Sequence, residues 1–192
     1  MNKIKIFASC LGCYNAGRLT GRWLDLPTES PISEAVTKIM AEIDHEPGCS
    51  KEEWFVSDSE GPVKVPEYCS PYELRALDDL AQLMEDDEEA AHKVIYLYKQ
   101  YGEQDLRKAL DEGLDRVEYR PGQTLKELAE EILKERVDTL RSFLKQHAYG
   151  RELEAYSGLL ADLESRYDVD GLAHDLDLEG YDEQPDGVYY SY

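Results

Sequence analysis

Cys10 and Cys13 form a C-x-x-C pair, the spacing of half a tetrahedral zinc site. A structural zinc site takes four ligands. Cys49, Cys69 and His45 are the remaining candidates, but they are scattered and no second C-x-x-C occurs. A redox C-x-x-C works from a helix N-terminus, which stabilises the thiolate. This pair falls at the end of a strand-like run instead, so two cysteines in a strand and its loop is the favoured reading. Asp168-Val169-Asp170-Gly171 invites a calcium reading. An EF-hand loop then needs a ligand at its fifth position and glycine at its sixth, where this chain has Leu172 and Ala173. His45, His92, His147 and His174 lie in four separate segments. No HExxH, GxSxG or phosphate-binding loop occurs, and Gly12 to Gly17 does not match a dinucleotide fingerprint. Among 42 acidic residues any carboxylate pairing can be found, so such pairs say nothing about acid–base catalysis. The chain is therefore read as having no catalytic residue, no cofactor and no metal.

What the chain does carry is negative charge. Its formal net charge is −21 over 192 residues. Asp78 to Glu118 holds 13 acidic residues against 5 Lys or Arg, including the run Glu85-Asp86-Asp87-Glu88-Glu89. The stretch is patterned mostly as helix, where residues three or four apart are surface neighbours. Duplex DNA offers a comparable array, about one charge per 1.7 Å of its axis. A second acidic zone, 152–192, holds 12 acids and the single base Arg166, while 119–151 between them carries a small positive excess. The candidate partner-binding carboxylates are Asp78, Asp79, Glu85, Asp86, Asp87, Glu88, Glu89, Asp111, Glu112, Asp115 and Glu118. Such a surface repels nucleic acid and anionic membranes and attracts basic proteins or cations. Solvated faces of an ordinary acidic protein are the competing reading. Twelve of the 14 Tyr accompany the two acidic zones, six with each, as interface residues or as half-buried aromatics.

The N-terminus has too short an apolar run for a signal peptide, and no segment approaches the roughly 20 apolar residues of a membrane span. A cytoplasmic protein with reduced cysteines is expected.

These residues need elements to hold them. Residues 3–11 and 18–26 read as strands, with a loop at Gly12, Asn15 and Gly17 between them. Ser30-Pro31 starts a helix through Ile32, Val36, Ile39, Met40 and Ile43, and 53–57 reads as a third strand. Pro62 to Pro66 reads as a linker. Ser70, Pro71 and Glu73 open a helix lined by Leu74, Leu77, Ala81 and Met84. A second helix spans about Asp87 to Tyr101, and a third about Gln104 to Glu112, stopped by Gly113. Pro121-Gly122 breaks the chain. Thr124 and Glu127 form a capping box for a helix to about Gln146. Helices at 157–166 and 169–176 and a strand at 187–192 complete it. The fold class is α+β: a small N-terminal antiparallel sheet unit (1–61), a central acidic helical domain (62–120) and a C-terminal α+β domain (121–192).

Three pieces of this sequence resemble the ArdA antirestriction family. Ile6 to Asp25, with Tyr14-Asn15-Ala16-Gly17 and Gly21-Arg22-Trp23-Leu24-Asp25, looks like its strand, "YN-G" loop and "G-W-D" strand. Glu52-Glu53-Trp54-Phe55-Val56-Ser57-Asp58-Ser59-Glu60 is similar to a second strand. Tyr167, Asp168, Ala173, His174, Asp175, Leu176, Leu178 and Gly180 fit its C-terminal antirestriction motif in position. His174 stands where arginine is usual, and Gly171 where alanine is. Ala148-Tyr149-Gly150-Arg151-Glu152-Leu153 copies the motif's core more closely but lies further from the end and lacks the preceding Tyr-Phe-Asp. Two stretches thus compete for the motif.

The resemblance implies an elongated, dimeric DNA mimic joined through its C-terminal region. It implies a homodimer that occupies the DNA-binding groove of a type I restriction–modification enzyme, on the methyltransferase core and specificity subunit. The alternative is an acidic scaffold or regulator of another basic DNA-binding protein; a metal-buffering protein is a third reading.

Overall fold

The computed structural model describes residues 1–49 and 53–192. Among these residues the chain forms eight helices and two three-stranded antiparallel sheets, an α+β fold. It divides into two compact units, Met1–Val117 and Glu118–Tyr192. Residues 1–61 and the acidic helices both belong to the first.

The first unit begins with β1 (Lys5–Cys10), α1 (Leu11–Asn15), β2 (Gly21–Asp25), α2 (Ile32–Glu42) and β3 (Trp54–Glu60). Alternation puts Ile4, Ile6, Ala8 and Cys10 on one buried face of β1. The strand order is β2-β1-β3, with Phe7 opposite Trp23 and a bulge against β3 after Phe7. The stripe Ile32, Val36, Ile39 and Met40 of α2 is buried, as its period predicts. One difference matters for chemistry. The expected loop after β1 starts as the short helix α1, so Cys13 turns inward and is buried. Residues 62–66 also pack: Val63 is buried, and the Val56 N–H donates to the Glu67 carbonyl at 2.9 Å.

The acidic helices are α3 (Pro71–Asp86), α4 (Glu88–Gln100) and α5 (Leu106–Arg116). Ser70 and Glu73 form the expected capping box. Leu74, Leu77, Leu80, Ala91, Val94, Ile95, Leu106 and Ala109 make the shared core. Gly113 does not stop α5. It lies inside the helix and is buried, and a Cβ there would come within 3.0 Å of the Val94 Cα. Close approach of α5 to α4 overrides glycine's usual role as a helix stop.

The second unit holds all but the first residue of β4 (Val117–Pro121), then α6 (Leu125–His147), α7 (Arg151–Ser165), α8 (Val169–Leu178), β5 (Tyr181–Gln184) and β6 (Gly187–Ser191). The capping box of Thr124 and Glu127 opens α6 as expected. Strands β4 and β5 are not evident from the sequence, because they are short and charged. They flank β6 in the order β4-β6-β5. Leu128 and Ala129 of α6, Leu176 of α8 and Val188 of β6 form the core. Tyr119 and Tyr189 stack at 4.5 Å, and Tyr181 and Tyr190 at 4.6 Å.

Candidate functional site

The run Glu85–Glu89 sits at the corner between α3 and α4, and all five side chains are exposed. Asp87 builds the corner. Its backbone N–H donates to the Leu83 carbonyl at the end of α3, and its carboxylate accepts the Ala90 N–H at 3.0 Å at the start of α4. Glu85 pairs with Lys3 at 2.9 Å. Glu88 accepts the N-terminal ammonium at 2.6 Å, which holds its carboxyl below the usual glutamate range. Glu89 faces Lys93 at 3.5 Å, and Asp86 accepts the Gln82 amide at 3.0 Å.

The other candidates are engaged to different degrees. Arg107 of α5 bridges Asp79 at 2.5 Å and Asp111 at 3.0 Å. Glu112 accepts from the Tyr101 hydroxyl and from Arg116, which together keep its carboxyl ionised below the usual range. Glu118 pairs with Arg120 at 2.7 Å. Asp115 is exposed. Asp78 is half-buried and bound to Thr28, so it serves the fold rather than the surface. The eleven carboxylates are therefore not equivalent. The tyrosines divide likewise: Tyr96 and Tyr98 are buried, whereas Tyr68 and Tyr72 are exposed.

In the second unit the motif residues lie on and around α8. Asp168 caps the helix, accepting the Gly171 N–H at 2.9 Å. An alanine Cβ at 171 would come within 2.6 Å of that carboxylate, so the departure to glycine fits this cap. Ala173 and Leu176 face the core. Gly180 ends the helix with φ +103, a conformation that favours glycine. Tyr167, His174, Asp175 and Leu178 point outward, and Leu178 is 72% exposed. The competing stretch, Ala148 to Leu153, leads into α7, where Arg151 and Glu152 are exposed. Glu52 of the second resembling piece lies outside the described residues; Trp54 to Glu60 form β3.

The sequence reading did not bring Cys10, Cys13, His45 and Cys49 together, but their ligand atoms all lie within 4.8 Å of one another. The Glu46 backbone N–H, 3.3 Å from the Cys13 sulfur, lowers that thiol to about 7, while burial pushes Cys49 up to about 12. The pairing of C-x-x-C with His45-x-x-x-Cys49 was the available signal. The folding that joins them was not.

Among the described residues no helix is long and apolar enough to cross a membrane. No curated protein compared with the chain matches it. The model of the family described as antirestriction protein (ArdA) matches residues 6–189. That family is one of inhibitor proteins with antirestriction activity, directed at restriction–modification enzymes. With the match running from β1 into β6, the chain belongs to the ArdA antirestriction family.

Proposed function

We propose that the protein inhibits type I restriction–modification enzymes as a DNA mimic. Its carboxylates take the places of phosphates opposite the Lys and Arg of the DNA-binding groove, on the methyltransferase core and specificity subunit. The observation that carries this reading is the Glu85–Glu89 corner. Five consecutive carboxylates stand in solvent on a capped junction of two packed helices, so their backbone is fixed before any partner arrives. Inhibition is competitive and indifferent to recognition sequence, because phosphate positions carry no base information. The central acidic helices, residues 62–120, are the principal contact region.

The same proposal includes a homodimer formed through the second unit. Leu140 and Phe143 on α6, in the nearly neutral stretch 119–151, and Leu159 and Leu163 on α7, within the second acidic zone, are each more than half exposed and offer an apolar face. A second copy of this chain covers it. Phe143→Asp with Leu159→Asp should halve the mass seen by sedimentation; an unchanged mass counts against this interface.

The decisive experiment is a gel-shift competition. A type I methyltransferase core bound to labelled DNA is titrated with this protein at two salt concentrations. Displacement near stoichiometry, weaker in high salt, is the expected result. No displacement by the folded protein removes the type I reading for that enzyme and points to a different basic partner.

A further inference from the structure

We infer that the N-terminal sheet carries a structural zinc site formed by Cys10, Cys13, His45 and Cys49. Zinc held tetrahedrally at about 2.3 Å from sulfur and about 2.0 Å from nitrogen sets its ligands about 3.8 Å apart for two sulfurs and about 3.5 Å for sulfur and nitrogen. Four of the cluster's six edges already have these lengths, and the other two are within 4.8 Å. Cys49 Sγ is 3.7 Å from Cys10 Sγ and 3.5 Å from Cys13 Sγ. His45 Nδ1 is 3.7 Å from Cys13 Sγ and 3.5 Å from Cys49 Sγ. None of the four cysteines is in a disulfide, and a disulfide requires about 2.05 Å between sulfurs. One disulfide would also join only two of the four groups, whereas a single cation uses them all.

The surroundings prepare the ligands. His45 Nε2 lies 2.5 Å from the Met40 carbonyl, which can only accept a hydrogen bond. Nε2 therefore carries the proton, and Nδ1 turns its lone pair toward the three sulfurs. The Glu46 N–H donates to Cys13 Sγ at 3.3 Å. Arg18 pins the residues on either side of His45, pairing with Asp44 at 3.2 Å and Glu46 at 3.0 Å. A Pro47-Gly48 turn, closed by the Cys49 N–H on the Glu46 carbonyl at 3.1 Å with Gly48 at φ +84, returns Cys49 to the side of His45. Cys10 and Cys13 are fully buried and four protein groups fill the coordination sphere, which is the closed form of a structural rather than a catalytic site. On binding, the thiols give up their protons to solvent and become thiolates. The bound zinc would tie the β1–α1 corner to the segment after α2.

Cys69 provides an internal control, since its thiol donates to the Pro66 carbonyl at 3.0 Å, outside the cluster. The reduced full-length chain is titrated with Co²⁺ and then with Zn²⁺. The expected result is the intense visible absorption of tetrahedral, thiolate-bound cobalt, saturating at one equivalent and lost when zinc replaces it. Zinc should also raise the thermal midpoint. Cys49→Ala should lose the cobalt absorption, and Cys69→Ala should keep it at the same stoichiometry. A folded, reduced wild-type chain with no such absorption overturns the proposal, whether or not the variants fold. Equal loss in Cys69→Ala, or full retention in Cys49→Ala, overturns it too.

Discussion

The Asp78 carboxylate accepts both the backbone N–H of Thr28 at 2.9 Å and its hydroxyl at 3.2 Å, joining α3 to the turn before α2. Removing this half-buried carboxylate leaves the Thr28 N–H without its acceptor, at a cost of about 1–3 kcal/mol, while the Thr28 hydroxyl keeps the Ser30 carbonyl at 2.6 Å. Asp78→Ala should therefore lower the urea midpoint, whereas Asp86→Asn, on the exposed corner, should stay within about 0.5 kcal/mol of wild type. Equal effects of the two changes would contradict the separation of fold-serving from surface carboxylates.

Gly113→Ala tests the α4–α5 contact. In an exposed helix interior, alanine in place of glycine stabilises by about 1 kcal/mol. Here its Cβ would lie 3.0 Å from both the Cα and a methyl of Val94. The expected outcome is destabilisation by about 1–3 kcal/mol, from overpacking. Stabilisation, read by denaturant unfolding, would show that the helices separate easily.

The start of α6 should be sensitive to acid. Glu127 accepts the Thr124 N–H at 2.8 Å and the Thr124 hydroxyl at 3.0 Å, which holds its carboxyl below the ordinary glutamate value. A depressed carboxyl adds stability above its unfolded value, near 4.5, and loses it as pH falls through the folded one. Glu127→Gln keeps a capping side chain but cannot titrate. The variant should be less stable than wild type at neutral pH, and the gap should close below about pH 4.5. A gap that does not change with pH would assign the effect to packing.

The acidic surface should be redundant. Each exposed carboxylate contributes about 0–1 kcal/mol to a contact, so neutralising Asp86, Glu89 or Asp115 singly should weaken inhibition by no more than about fivefold. All three together should weaken it by several times that. Loss of inhibition from one such change would exclude a distributed mimic.

Much of the architecture is legible in the residues, because it rests on local signals. Ser70 with Glu73 and Thr124 with Glu127 announce two helices, and the stripes of α2, α3 and α4 announce their buried faces. What escapes is set by distant contacts. Gly113 looks like a stop until Val94 is known to press against it. Asp78 looks like its neighbour Asp79 until Thr28 is found beside it. Strands β4 and β5 owe their existence to pairing with β6 rather than to any apolar alternation of their own. The Cys10–Cys49 cluster needs the whole of β2 and α2 folded between its halves.

One consequence of the ion pairs around the acidic helices concerns counterion release. DNA gives up mobile condensed cations when a protein binds its phosphates, and that release makes the affinity steeply salt-dependent. Here part of the counter-charge is covalently attached: Arg107 sits on Asp79 and Asp111, Arg116 on Glu112, and Lys93 near Glu89. Tethered cations cannot diffuse away when an enzyme's lysines and arginines arrive. Plotted as log affinity against log salt, binding of this protein to the proposed enzyme should fall less steeply than binding of a DNA duplex covering the same groove. The inhibitor would therefore gain on its DNA competitor as ionic strength rises, even while both bind more weakly.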